Sequence, residues 1–215
     1  MIRRVGLAGL LALALATPAR ATFTVYLDQA SYLAALAPNP FKDTYNDLMA
    51  GSLISSPLNR SGNGFSYLAS ATNGLLVIGS TADKWLSTDE NIDSLDYKPT
   101  SSNVQAMGGF FFGTNASGAF VAGTTVNITA VDGTQTLHQS LTNTTTTTFF
   151  GVISDGPITS FTVGVTLPSS RDAFVTANDF IIGAAPTAVP APPTLLLGLV
   201  GAGVTGVARL RRRGR

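Results

Sequence analysis

The middle of the chain alternates between apolar and polar residues with the period of two that is typical of β-strands. From Thr124 to Val131 the residues Val126, Ile128 and Ala130 fall on one face. Asp132-Gly133 and Asn73-Gly74 provide turn signals. Further strand-like segments occupy residues 64–69, 75–79, 104–112, 134–141, 145–153, 158–167 and 174–182. This spacing predicts an all-β fold, an antiparallel β-sandwich or jelly roll.

One short segment has a helical pattern instead. Asp28 can cap a helix over residues 28–36, and Pro38 ends the run. We expect a surface helix that packs on the edge of a sheet through Tyr32, Leu33 and Leu36.

The first 21 residues have the features of a secretory signal peptide. Arg3 and Arg4 precede an apolar stretch, and Ala19-Arg20-Ala21 is an A-x-A cleavage signature. We expect a signal helix that signal peptidase removes after Ala21, so that the mature chain starts at Thr22. The alternative is a buried N-terminal helix of the domain.

The middle of the chain has a net charge of opposite sign to that of the whole chain. Residues 22–186, the predicted exported domain, carry five Lys and Arg against 12 Asp and Glu, a net charge of −7, whereas the whole chain is at +1. An acidic body makes nucleic acid a poor partner. The chain has no cysteine, and roughly 165 residues can bury a sufficient core without disulfides.

The last segment, residues 187–215, has three parts. A proline motif and an uncharged run of 15 residues, 194–208, precede a cluster of arginines. The run is shorter than the roughly 20 residues that span a bilayer core, so it predicts a marginal membrane helix with its arginines on the cytoplasmic side. The motif is Val189, Pro190, Ala191, Pro192, Pro193 and Thr194, and the cluster is Arg209, Arg211, Arg212, Arg213 and Arg215.

This three-part ending resembles the PEP-CTERM sorting signal of bacterial exopolysaccharide-associated proteins. The usual pattern is Val-Pro-Glu-Pro, an apolar helix and a basic cluster, and Ala191 stands where the family has Glu. The resemblance implies transient insertion in the inner membrane and cutting by an exosortase near the proline motif. The body would then reach the cell surface or the extracellular matrix. The alternative is a plain C-terminal membrane anchor.

The body resembles, more loosely, the β-sandwich bodies of many such exported proteins, which look like carbohydrate-binding modules. The similar segments are 64–67, 73–75, 86–88, 108–112, 130–133 and 174–183. This second resemblance implies no particular activity. With the ending, it leads us to expect a non-catalytic protein associated with the exopolysaccharide of a biofilm.

Residue types that carry catalysis are sparse in this sequence. His138 is the single histidine and lies in a strand-like segment, which predicts an exposed strand residue, and no Gly-x-Ser-x-Gly motif occurs. Glu90 is the one Glu, and no spacing marks a glycosidase carboxylate pair. We expect no enzyme activity. The alternatives are a secreted glycan-active hydrolase that uses Glu90 with a nearby Asp, and a membrane-anchored structural domain.

Two groups of residues remain as binding candidates. Trp85, Tyr67 and Tyr97 can stack on sugar rings, although Trp85 has core packing as an alternative. Calcium prefers oxygen ligands, which the acidic stretch provides, with a solvated loop as the alternative. No other cofactor is expected. The candidate calcium ligands are Asp89, Glu90, Asp93 and Asp96. The threonine run 144–148 predicts strand, or else a site of O-glycosylation.

Overall fold

The computed structural model describes residues 22–166 and 172–186. The predicted signal peptide and the three-part ending, residues 187–215, lie outside the described residues. Among the described residues, no helix has the length and apolarity needed to cross a membrane. The elements are β1 (Phe23–Tyr26), α1 (Gln29–Ala34), β2 (Phe41–Asp43), β3 (Leu53–Ile54), β4 (Leu58–Gly62), β5 (Phe65–Ser70), β6 (Leu75–Gly79), β7 (Lys84–Thr88), β8 (Leu95–Pro99), β9 (Ala106–Thr114), β10 (Thr125–Val131), β11 (Thr136–Leu141), β12 (Phe149–Ser154), β13 (Ser160–Thr166) and β14 (Phe174–Gly183).

The strands form two sheets, and all of their pairings are antiparallel. An eight-stranded sheet has the order β1-β12-β9-β14-β7-β6-β3, with β2 paired to β14. A six-stranded sheet has the order β11-β10-β13-β8-β5-β4. The prediction of an antiparallel all-β fold with one short helix is therefore confirmed.

A bulge divides β14 between two neighbours. On one edge β14 pairs with β9, with a register shift between Asn178 and Ile181. On its other edge it pairs first with β7, at Thr176 and Ala177, and then with β2. Bulges re-aim side chains and often lie beside functional sites. Here the bulge brings three strands of distant sequence together.

Aromatic rings join the two sheets. Phe180 of β14 stacks on Tyr97 of β8 with ring centroids 3.9 Å apart. Phe111 of β9 lies 5.7 Å from Phe161 of β13. Such pairs stabilise a core beyond the area that they bury. Because each pair takes one ring from each sheet, the interior between the sheets is the main core of the sandwich.

Helix α1 covers one part of the outer face of the eight-stranded sheet. Asp28 caps it by accepting a hydrogen bond from the Ser31 amide at 2.8 Å, and this bond lowers the pKa of Asp28. Tyr32 is fully buried because its ring lies over Gly151, where an added Cβ would come within 2.6 Å of the ring. The predicted helix is confirmed, but Leu33 is 39% exposed and does not share the packing face.

The predicted strands correspond to β5, β6, β9, β10, β11, β12, β13 and β14. The threonine run is an exception, because β12 begins only at Phe149. Thr145 donates its amide to the Thr148 hydroxyl at 2.8 Å, and Thr148 donates its amide to the Thr145 carbonyl at 3.0 Å. These local bonds close a turn in place of the predicted strand.

Candidate ligand-binding site

Three side chains form a row across the outer face of the eight-stranded sheet. Asn178 of β14 pairs with Phe110 of β9 on one side. On the other side Ala177 pairs with Leu86, so Asn178 lies beside Trp85 of β7. All three side chains are half-buried. The row therefore presents two aromatic surfaces with an amide between them.

Helix α1 and the loop after β9 cover the outer face of the sheet on either side of this row. Tyr32 of α1 covers Gly151 and also approaches Gly108, two residues before Phe110. On the far side the loop after β9 folds back over the sheet, since an added Cβ on Gly118 would lie 3.2 Å from Ile78. This loop carries Phe120, which is 38% exposed.

Aromatic contacts connect the row to that loop. The Trp85 ring meets Phe112 edge-on at 90°, with centroids 5.0 Å apart, and Phe112 contacts Phe120 at 6.4 Å. Phe112 itself is fully buried. Trp85 thus packs against a buried ring and is itself half-buried. We call Trp85, Phe110, Phe120, Asp83 and Asn178 the aromatic face.

Asp83 fixes the two central side chains of the aromatic face. Its Oδ2 accepts a hydrogen bond from the indole Nε1 of Trp85 at 3.1 Å. Its Oδ1 accepts one from Asn178 Nδ2 at 3.2 Å. Asp83 and Asn178 are 95 residues apart along the chain. One carboxylate therefore orients both the ring and the amide.

The bulge beside the aromatic face is strained and polar. Asp179 has a φ of 51°, a left-handed conformation that non-glycine residues adopt rarely. Its carboxylate forms an ion pair with Lys42 of β2 at 2.7 Å. Within the described residues, Asn178 Oδ1 is buried and has no hydrogen-bond partner. Strain and an unsatisfied polar atom at one place are typical of functional sites.

A cavity of about 630 Å³ adjoins the aromatic face beyond Phe120. It is an open depression with both polar and apolar walls, and Phe120 belongs to its lining. The other lining residues are Asn115, Ala116, Val121, Ala122 and Asp172. A chain-like ligand that contacts Trp85 could therefore continue past Phe120 into this depression.

Two of the three predicted sugar contacts are core residues. Tyr67 and Tyr97 are fully buried, so neither ring can stack on a ligand, and both predictions are corrected. The Tyr67 hydroxyl donates to Asp43 Oδ2 at 2.8 Å. Burial raises the pKa of four buried tyrosines: Tyr32, Tyr45, Tyr67 and Tyr97. Trp85 alone keeps the exposure that its predicted role needs.

Asp43 and Arg60 form a separate buried network that joins the two sheets. Arg60 Nε and Nη2 donate to the two Asp43 oxygens at 2.6 and 2.7 Å. Arg60 also pairs with Asp47 at 2.7 Å, and this hydrogen bond lowers the pKa of Asp47. The bonds to Asp43 raise the pKa of Arg60. Asp43 lies in β2 and Arg60 in β4, so the network fastens one sheet to the other.

The structure does not gather the four candidate calcium ligands. Asp93 is buried and accepts hydrogen bonds from the amide and side chain of Asn73. Asp96 instead points from the six-stranded sheet, where it accepts from Thr162 at 2.7 Å. Across residues 22–166 and 172–186, no three His, Cys, Asp or Glu side chains are grouped to hold a metal ion. This corrects the site proposed for Asp89, Glu90, Asp93 and Asp96.

The outer face of the six-stranded sheet has a different character. His138 is exposed in β11, as predicted, and its Nδ1 lies 3.0 Å from the Thr129 hydroxyl. The outward positions of the described strands carry hydroxyl, amide, imidazole, charged and aliphatic side chains but no Phe, Tyr or Trp. Glu90, the acid of the hydrolase alternative, is also exposed, in the loop after β7. Aromatic surface is therefore concentrated on the eight-stranded sheet.

Comparisons with known proteins give one similarity. No protein-family model and no curated protein matches the chain. The chain is similar to a solved structure of a family 29 carbohydrate-binding module complexed with cellulohexaose. The TM-score is 0.35 and the identity 11%, over 80% of this chain and 99% of that one.

Proposed function

We propose that this chain is an exported, non-catalytic bacterial surface or extracellular-matrix protein whose sandwich binds exopolysaccharide. The observation that carries the proposal is the aromatic face. A half-buried Trp85, held at its indole nitrogen by Asp83, lies beside the amide of Asn178. A flat ring with fixed polar groups at its edge matches a sugar, which has an apolar face and hydroxyls around its rim.

The polar groups of the aromatic face fit a ligand rich in hydroxyls. Asn178 Oδ1 accepts no hydrogen bond in the described residues, and leaving such an atom unpaired costs about 1–3 kcal/mol. A small rotation of the Asn178 side chain would offer this oxygen to a sugar hydroxyl. The ligand would thereby remove a cost that the free protein carries.

Charge favours a neutral glycan as the ligand. Residues 22–186 have a net charge of −7. Asp83 lies within the aromatic face, and Lys42 beside it is already paired with Asp179. Uronate-rich or sulfated chains would meet like charge at the protein surface. We therefore expect neutral polysaccharides to bind more tightly than acidic ones.

Delivery to the cell surface is the second part of the proposal. The sequence supports removal of residues 1–21 by signal peptidase, transient anchoring in the inner membrane, and cutting by an exosortase at the proline motif. Intact-mass spectrometry of membrane and extracellular fractions from the native host tests this part. We expect loss of residues 1–21 and of the chain beyond about Pro190–Thr194. A mass that retains Arg215, found only in the membrane, would mean a plain anchor.

Binding is tested by affinity electrophoresis and calorimetry with hydroxyethylcellulose, xylan and alginate. Replacing Trp85 by Ala should weaken binding to a neutral polysaccharide by about tenfold, since stacking and buried area together contribute on the order of 1.4 kcal/mol. His138→Ala, on the opposite outer face, is the matched control and should bind like the unmodified protein. Folding of each variant is checked by circular dichroism. Unchanged affinity in a folded Trp85→Ala variant would refute the proposed site.

A further inference from the structure

The first residue of the expected mature chain contacts a carboxylate. The backbone nitrogen of Thr22 donates to Asp155 Oδ2 at 3.2 Å, and the Thr22 hydroxyl donates to the same oxygen at 3.0 Å. The adjoining register explains the contact, since Phe23 of β1 pairs with Ser154 of β12. Thr22 therefore lies opposite Asp155 at the edge of the eight-stranded sheet.

Signal-peptide cleavage would change the chemistry of this contact. Hydrolysis of the Ala21–Thr22 bond consumes one water and yields a carboxylate on Ala21 and an amino group on Thr22. An α-amino group has a pKa of about 7.7–8.0 and is mostly protonated at neutral pH. The neutral amide that now donates to Asp155 becomes an ammonium group. A charge-assisted hydrogen bond is roughly twice as strong as a neutral one.

We propose that Asp155 is the binding site for the new N-terminus, so that cleavage after Ala21 strengthens the attachment of β1. No Lys or Arg forms an ion pair with Asp155 within residues 22–166 and 172–186. The new ammonium group would thus compensate the charge of the Asp155 carboxylate.

The position of β1 makes the attachment useful. Among the described strands, β1 pairs only with β12 and so forms an edge of the eight-stranded sheet. It has four residues, and Phe23 packs against the main core. The end of such a short edge strand frays easily. An ion pair at Thr22 would hold it, whereas cleavage even one residue later would remove the contact.

A double-mutant cycle tests the proposal on residues 22–186, which contain every strand and core residue described. One chain starts at Thr22, and a second carries Gly-Ser-Gly before Thr22. Each is made with Asp155 and with Asp155→Asn, and thermal unfolding is followed at pH 6.5. The extension should lower the Tm by about 1–3 °C with Asp155, as expected of an exposed ion pair. It should have no effect with Asn at position 155.

The extension keeps the Thr22 amide, so the cycle isolates the effect of the ammonium charge. An extension that costs nothing with Asp155, or costs equally in both backgrounds, would overturn the proposal. N-terminal sequencing of the native mature protein provides a second check. A first residue other than Thr22 would overturn it as well. Neither readout depends on glycan binding, so failure here is distinct from failure of the proposed function.

Discussion

Replacing Asp43 by Asn should destabilise the fold far more than replacing Asp47 by Asn, although both carboxylates bind the same arginine. Asp43 is 2% exposed, and it accepts hydrogen bonds from Arg60 twice, from the Tyr67 hydroxyl and from the Tyr45 amide. The Asp47 side chain is 63% exposed. The two substitutions are chemically identical, so their difference measures the effect of burial together with the additional hydrogen bonds of Asp43.

The expected magnitude follows from what each change leaves behind. Breaking a buried ion pair typically costs about 3–5 kcal/mol because an uncompensated charge stays buried. Arg60 keeps Asp47 as a partner and its side chain is 14% exposed, so we expect the lower end for Asp43→Asn, about 3 kcal/mol. An exposed pair contributes about 1 kcal/mol or less, which sets the limit for Asp47→Asn.

Urea unfolding followed by the fluorescence of Trp85 measures both values, because this tryptophan is the only one in the chain. Equal losses of unfolding free energy in the two variants would refute the reasoning. The pH dependence gives a further check. The pKa of Asp47 is lowered in the folded state by the Arg60 hydrogen bond. Its stabilisation is therefore present above about pH 4, the unfolded-state value, and disappears as the pH falls through the folded-state pKa.

Three further results are expected. Burial raises the pKa of the four buried tyrosines, so these groups lose their protons at a lower pH in the unfolded chain than in the folded one. The free energy of unfolding should therefore fall above about pH 10. Absorbance at 295 nm should show these tyrosines ionising only as the protein unfolds. Gly108→Ala should cost about 1–3 kcal/mol in urea unfolding because its Cβ would lie 2.7 Å from Gly151, whereas Gly164→Ala, with nothing within 4 Å, should not destabilise. Thr176→Val should lower the free energy of unfolding by about 1–3 kcal/mol, because the Thr176 hydroxyl is buried and contacts the hydroxyls of Thr114 and Ser87. Thr129→Val, on the outer face of the six-stranded sheet, is the control in the same assay and should cost less.

The sequence pattern predicted the longer strands because each has a periodic or continuous apolar signal. It did not reveal β1, β2, β3, β4, β7 or β8, which have two to five residues each, because a segment so short gives little measurable period. Tyr67 and Tyr97 were misassigned although a signal existed. Tyr67 shares its phase with Phe65 and Ala69 in β5, and Tyr97 shares its phase with Leu95 in β8. A tyrosine in the apolar phase of a strand belongs to the core when its hydroxyl finds a buried partner.

The candidate site was only partly visible in the sequence for a different reason. Trp85 stands out as the single tryptophan, but its partners follow from tertiary structure. Asn178 reaches Asp83 because β14 lies between β7 and β9. The bulge in β14, where its pairing with β7 ends, follows from the register of β14 with β9, β7 and β2. Strand order and register are set by long-range pairing, which local patterns do not encode.

The residues of the aromatic face and the residues of the proposed sorting signal lie in different parts of the chain. Its strands are β7, β9 and β14, and β14 ends at Gly183, whereas the proline motif begins at Val189. A cut at the proposed exosortase site therefore removes none of the described strands and no residue of either hydrophobic cluster. The ending would act as a sorting signal on the precursor, and the released body would keep its complete ligand site. A released protein that matches the full-length chain in glycan affinity is the result that this arrangement requires.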